Sequence, residues 1–235
     1  MTAVKVKLIY VKRFRHDLQE PGREESFNVS LEEPVTVLQA LQYVYKNLDP
    51  TIAFEYSCRY AKCGICGVEV NGRPILACTA FLKDKETVLA PLSNLPVIRD
   101  LVVDRSPLEK LLRDEEIYFR GADLEKSSVY EKAHEGNYFK PVKIPPGLET
   151  LLGCFECLCC HAACSKLDTS GRSLSQFAGP YIFLKLAQLN LDPRDRKDRK
   201  AQARRLGIEN CSDCRRCYCP QGIPIYRLAI EPLLR

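Results

Sequence analysis

CRYAKCGICGVEVNGRPILAC, residues 58–78, decides how the first half of this chain folds. Cys58, Cys63 and Cys66 stand in C-x4-C-x2-C spacing, the plant-type pattern for a [2Fe–2S] cluster, which needs one further thiolate. Cys78 can supply it because of what lies between. Asn71-Gly72 separates two short apolar runs, the strongest short-range hairpin signal. A turn at 71 and 72 pairs Cys66 with Ala77 and Ile65 with Cys78, which folds Cys78 back beside Cys66. Gly64 and Gly67 leave room for backbone N–H groups to turn toward anionic sulfurs. Four thiolates also suit a structural zinc ion, but zinc sites are usually built from two C-x2-C pairs, so the loop favours iron–sulfur.

Two more cysteine runs follow. Cys154, Cys157, Cys160 and Cys164 form C-x2-C-x2-C-x3-C, the bacterial ferredoxin run, whose fourth cysteine serves the other cluster of a pair. Cys211, Cys214 and Cys217 repeat the x2–x2 spacing, and Cys219-Pro220 comes directly after. The pattern predicts interlocked ligation. Cys154, Cys157, Cys160 and Cys219 would hold one [4Fe–4S] cluster, and Cys164, Cys211, Cys214 and Cys217 a second. One residue, not three, separates Cys217 from Cys219, so a rival stays open: a [3Fe–4S] cluster on Cys164, Cys211 and Cys217, with Cys214 free. Of the 13 cysteines, only Cys159 is then left over, and it reads as a packed free thiol. His161 reads as a neighbour of the ligands or a surface residue rather than a ligand.

An odd cysteine count argues against a closed disulfide framework. The start, MTAVKVKLIYVKRFRHD, lacks the apolar core and cleavage site of a signal peptide. Both features predict a reducing, cytosolic setting, where C-x2-C clusters mean metal or redox chemistry. No apolar run approaches the length of a membrane span, so membrane association would go through partner subunits. The net charge of +5 is mild. The basic run DPRDRKDRKAQARR (192–205) has no nucleic-acid module around it and reads as a solvated helical face. No paired general acid and base, nucleophile dyad or phosphate loop is recognisable, so the chain has no expected substrate site of its own.

The remaining pattern divides the chain. VKVKLIYVK (4–12) and SFNVSL (26–31) alternate as half-buried strands do. Residues 34–45 place Val37, Leu41 and Val44 at helical spacing. From Ser106 onward the leucine-rich stretches SPLEKLLRDEEIY, PPGLETLLG, GPYIFLKLAQLNL and IPIYRLAIEPLLR read as helices, punctuated by Pro145-Pro146-Gly147 and Gly179-Pro180. The expected class is α+β, with a [2Fe–2S] domain over residues 1–105 and a helical two-cluster domain over 106–235.

That layout resembles the iron–sulfur subunit of succinate dehydrogenases and fumarate reductases, over nearly the whole chain. The resemblance is carried by Ser57-Cys58-Arg59, the Cys63-Gly-Ile-Cys66-Gly67 loop, Asn71-Gly72 through Leu76-Ala-Cys78-Thr79, Val97-Ile-Arg-Asp-Leu-Val-Val-Asp104, Phe177-Ala-Gly-Pro180 and Asp192-Pro-Arg-Asp195. It implies a β-grasp N-terminal domain of plant-type ferredoxin kind and an all-α, bacterial-ferredoxin-like C-terminal domain. It also implies a flavoprotein partner carrying FAD and the dicarboxylate site. Electrons would pass between that flavin and a quinone-linked acceptor on the membrane side, from a peripheral position on the cytoplasmic face held by partner subunits. Three residues depart from the family's usual pattern. Cys214 stands where most relatives have an aliphatic or small residue and a [3Fe–4S] cluster. Ser165 replaces a proline, and Ser212 a histidine. The chain also has no Trp. These departures resemble archaeal-type complexes in which a cysteine-rich subunit related to heterodisulfide reductase replaces the haem-bearing anchor. The alternatives are the iron–sulfur subunit of a thiol:fumarate reductase or a heterodisulfide-linked flavoenzyme and, in another class, a zinc-stabilised interaction module.

Overall fold

The computed structural model describes residues 4–15, 20–119, 144–168 and 173–235. Its contacts gather the chain into two compact units. The first is Met1–Pro107 together with Phe155–Ser170 and Tyr218–Gly222; the second is Leu108–Cys154, Gly171–Cys217 and Ile223–Arg235. Neither unit is one continuous stretch: the first takes in two cysteine-bearing segments from far beyond Pro107.

The first unit is built on a seven-stranded sheet. Strand β1 (Val4–Arg15) pairs antiparallel with β2 (Glu20–Glu32) and parallel with β5 (Glu86–Ala90). A hairpin of β3 (Gly67–Val70) and β4 (Arg73–Leu76) joins through β3 to β5, and β6 (Val97–Arg99) with β7 (Val102–Val103) extends the other side. Helix α1 (Val37–Asn47) lies against β2 and buries Val37, Leu38, Ala40, Leu41 and Val44. It starts where Thr36 accepts from the Gln39 N–H while Gln39 reaches back to the Thr36 N–H, a capping box that satisfies two otherwise orphaned donors.

The alternation of β1 is not purely apolar-in, charged-out. Its inward face is Lys7, Ile9, Val11 and Arg13, while Val6 is 60% exposed. The buried charges are tolerated because each is paired. Lys7 Nζ donates to the carbonyls of Leu82 and Lys83 and pairs with Glu33. Arg13 is a hub. It donates to Asp100 (2.9 Å), Glu25 (2.8 Å), Asp49 and Thr51 (3.0 Å). Asp100, fully buried, also accepts from the Phe14 and Ala53 N–H groups. One guanidinium thus ties β1 to β2, to the turn after α1 and to the β6–β7 turn. Burial opposes ionisation of Asp49, yet hydrogen bonds from Thr51 and Arg13 outweigh it and hold the carboxyl at about 2.

The second unit is helical in its described residues. Helix α2 (Ser106–Asp114) leads into it, and α3 (Leu148–Leu152) follows. The long helix Gly179–Leu191 buries eight of its residues, as a helix surrounded by others must. Against it pack α3, the helix Arg199–Arg205, a π-turn at Tyr226–Ile230 and the closing helix Glu231–Leu234. The basic run is not wholly solvated. Arg199 is 1% exposed and pairs with Asp195 at 2.7 Å. Its guanidinium also donates to the carbonyls of Glu116 and Tyr118 and to Gln202 Oε1, and Ala203 is buried beside it in the same helix. A charge count does not reveal which arginine has an acceptor for every N–H.

Replacing Arg13 by Leu removes the hydrogen-bonded ionic partner of buried Asp100 and leaves only Arg99, at 3.9 Å; breaking a buried pair in this way costs about 3–5 kcal/mol. The denaturation midpoint of the cluster-loaded protein is expected to fall accordingly. Lys12→Leu, at an exposed position of the same strand, should stay within about 0.5 kcal/mol of wild type.

Candidate iron–sulfur sites

The hairpin has the register read from the sequence. Gly67 pairs with Leu76 and Val70 with Arg73, while the Ala77 N–H donates to the Cys66 carbonyl at 2.9 Å. Asn71 (φ 50°) and Gly72 (φ 75°) make the turn with two left-handed residues, as a two-residue hairpin of this kind requires.

The loop in front of it is shaped around sulfur. Arg59 (φ 67°), Ala61 (φ 54°) and Gly64 (φ 70°) are left-handed, which turns backbone N–H groups inward to form a concavity for anions. Lys62 and Cys63 donate to Cys58 Sγ (3.2 and 3.3 Å), and Ala61 donates to Cys78 Sγ (3.3 Å). Backbone N–H groups of Tyr60 and Lys62 draw the Cys58 thiol down to about 6, whereas burial pushes Cys66 up to about 12. The Cys58 thiol lies close to that of Cys63, and the Cys66 thiol to that of Cys78. Four thiols with N–H donors already aimed at two of them fit the donor set that a [2Fe–2S] cluster takes, since hydrogen bonds to sulfur stabilise the anionic form.

Within the first unit this loop meets the segment carrying Cys157. A Cβ on Gly64 would lie 1.8 Å from the Phe155 carbonyl oxygen, and one on Gly67 would lie 2.8 Å from that of Cys157. Lys62 sits over the Phe155 ring at 5.6 Å. Glu156 (φ 56°) and Leu158 (φ 60°) flank Cys157 with left-handed turns. The short helix Cys159–Ala162 then packs beside β4. Cys159 is fully buried. Its hydrogen bond with Cys157, then burial, drive its thiol strongly upward, with Cys160 and Cys219 close by.

Cys157, Cys159, Cys160, Cys164 and Cys219 thus belong to the first unit, and Cys154, Cys211, Cys214 and Cys217 to the second. The Cys214 N–H donates to the Cys211 carbonyl at 3.1 Å, which closes a turn between those two. Among the described residues, no three His, Cys, Asp or Glu side chains are set to take a single metal ion.

Two residues escaped the sequence reading. Asn94 (φ 62°) directs its side-chain amide at the carbonyls of His161, Ala162 and Cys164, each at 3.1 Å, and so caps the end of the short helix. Arg105 donates to the carbonyls of Ile65 and Glu156. Neither carries a motif; only the fold brings them to these carbonyls. His161 is buried, not on the surface, and burial lowers it to about 4 against a hydrogen bond with the Asn94 backbone. Its Nδ1 has no hydrogen-bond partner among the described residues. Beside Cys164 opens a cleft of about 360 Å³ lined by Glu69, Arg73, Asn94 and Tyr218.

Residues 8–110 match the family described as a 2Fe–2S iron–sulfur cluster binding domain. The fumarate reductase iron–sulfur subunit of Haemophilus influenzae is 30% identical over 210 residues, which cover 86% of this chain and 78% of that protein. A subunit of the fumarate reductase (CoM/CoB) of Methanothermobacter marburgensis is 33% identical over 231 residues, 96% of this chain and 43% of the relative. The chain spans about two-fifths of the length of that protein and of two further relatives. A chain of the Mycobacterium smegmatis Sdh1 complex in the apo form superposes with a TM-score of 0.84 at 26% identity, covering 98% of this chain and 95% of that one. These likenesses and the thiol-lined loop define an iron–sulfur protein with a ferredoxin-like [2Fe–2S] domain. More particularly, the chain belongs to the family of fumarate reductase and succinate dehydrogenase iron–sulfur subunits.

Two glycine substitutions separate backbone strain from packing at the first loop. Gly72→Ala meets nothing within 4 Å and pays only the left-handed penalty of about 1–2 kcal/mol. It should keep its [2Fe–2S] absorption and lose a little stability. Gly64→Ala adds a clash with backbone and is expected to lose the [2Fe–2S] signal or the soluble protein altogether. Visible absorption and iron content per chain check both.

Proposed function

We propose that this chain is the electron-transfer subunit of a succinate dehydrogenase or fumarate reductase complex. It would carry electrons one at a time between the FAD of a flavoprotein partner and a quinone-linked acceptor on the membrane side. The observation that carries the reading is the backbone contact between the loop of Cys63 and Cys66 and the segment of Cys157, which sets two thiol-rich loops side by side. Among the described residues no helix is long and apolar enough to cross a membrane. That fits a peripheral subunit held by partners at the cytoplasmic face.

The finer architecture is part of the same proposal: a β-grasp domain over residues 1–105 and an all-α, bacterial-ferredoxin-like domain over 106–235. Cys58, Cys63, Cys66 and Cys78 hold a [2Fe–2S] cluster, and Cys154, Cys157, Cys160 and Cys219 a [4Fe–4S] cluster. Cys164, Cys211, Cys214 and Cys217 hold a second [4Fe–4S], with the three-thiolate [3Fe–4S] as the rival. The nearness of Cys219 to Cys159, next to Cys160, supports its share in the first cubane. The chemistry these groups supply is one-electron storage, and the chain's own part is to present thiolates, donate N–H groups to sulfur and exclude water.

A second reading is favoured by the likeness to the fumarate reductase (CoM/CoB) protein: the iron–sulfur part of a thiol-linked fumarate reductase, with a heterodisulfide-reductase-like partner in place of a membrane anchor. Co-purification separates the two, because the neighbouring subunits differ.

The cluster-loaded chain alone is expected to show no succinate–dye turnover, and turnover should appear when the flavoprotein is added. Activity from the chain alone would refute the assignment. For the third cluster, the oxidised, air-protected protein should lack a stoichiometric EPR signal near g ~2, as a [4Fe–4S]²⁺ centre does, and Cys214→Ser should create one. A signal already present in wild type, unchanged by that substitution, would establish the [3Fe–4S] rival.

A further inference from the structure

Arg105 is half-buried at the end of the Val97–Asp104 stretch, and its two terminal nitrogens part company. Nη2 donates to the carbonyl of Ile65 at 3.1 Å and Nη1 to that of Glu156 at 3.2 Å. Ile65 lies between Cys63 and Cys66, and Glu156 immediately precedes Cys157. Around this bridge the two loops touch at Gly64 and Phe155, at Gly67 and Cys157, and at Lys62 and the Phe155 ring. A rigid fork that satisfies two carbonyls at once while keeping its charge suits Arg and not Lys.

We propose that Arg105 is a positioning residue of the electron path: it staples the loop of Cys63 and Cys66 to the loop of Cys157, and its charge raises the reduction potential of the centres held there. The proposal rests on the ligand assignment given above. The transfer it serves moves one electron, oxidising one centre by one unit as the other is reduced, with no bond or proton exchanged. The direction of the potential effect follows from charge. Reduction makes a thiolate-ligated centre more negative, and a nearby cation favours that state.

The test uses the cluster-loaded full chain in its complex, with EPR-monitored redox titration of wild type, Arg105→Met and Arg105→Lys, and rapid-freeze kinetics of reduction. Arg105→Met should shift the midpoints of the [2Fe–2S] and Cys157 centres to lower potential. Arg105→Lys should restore most of that shift, because the charge returns. Both variants should slow electron passage between the two centres, because the fork is lost in each. A Met variant that keeps the [2Fe–2S] signal but loses the Cys157 centre supports the staple in a stronger form. Unchanged midpoints and rates in Arg105→Met overturn the proposal, as does loss of every signal in both variants, which would mean a general folding role. A wild-type protein with no centre beyond the [2Fe–2S] refutes the ligand assignment instead. The [2Fe–2S] midpoint in Arg105→Met then still decides for or against Arg105.

Discussion

Anionic sulfur needs donors, and in this protein the donors come from the backbone. The loop from Cys58 to Gly64 reverses φ at Arg59, Ala61 and Gly64, so that the N–H groups of Ala61, Lys62 and Cys63 point at the sulfurs of Cys58 and Cys78. Here the alternation of left-handed and ordinary residues, not a helix terminus, gathers the N–H groups into a concavity for anions, so the segment is irregular. The rest of the first unit holds that irregular loop still. The Asn71-Gly72 hairpin returns Cys78 to it, and the Phe155–Cys157 segment covers it so closely that no side chain fits at Gly64.

Buried charge provides the second level of order. Arg13 sits where a β-strand would ordinarily place an aliphatic side chain, against Asp100 buried in the β6–β7 turn, and Arg199 and Asp195 are likewise buried among helices. Every one of these groups is multiply hydrogen-bonded. A buried guanidinium with acceptors on several segments fixes the geometry of turns that apolar contact alone would leave free to slide. Its worth lies in specificity more than in net stability, because desolvation offsets much of the Coulombic gain.

Asn94 and Arg105 extend the same device to the cysteine-bearing segment. Both direct N–H groups at carbonyls exposed by short or irregular stretches: the end of the helix Cys159–Ala162 and the loops at Ile65 and Glu156. A four-residue helix satisfies almost none of its own carbonyls, so its position depends on such donors.

By itself, the sequence determined the elements whose cause is local. Asn-Gly sets the hairpin and thereby its register, and the apolar spacing of Val37, Leu41 and Val44 sets the first helix. The run Gly179–Leu191 is a helix with its ends where the sequence puts them, and the cysteine spacing with the quoted motifs identified the family. Only the tertiary structure decided what depends on residues distant in sequence. It put Lys7 and Arg13 on the inner face of the first strand and Val6 outside. It buried Arg199 in a run that reads as solvated, and it joined the segments 155–170 and 218–222 to the sheet-bearing unit. It also chose Asn94 and Arg105 as the donors for the loops around Cys157 and Cys164. Periodicity records which face of an element is buried on average, but a hydrogen bond across 40 or more residues leaves no period in the sequence, because its partner is selected by packing.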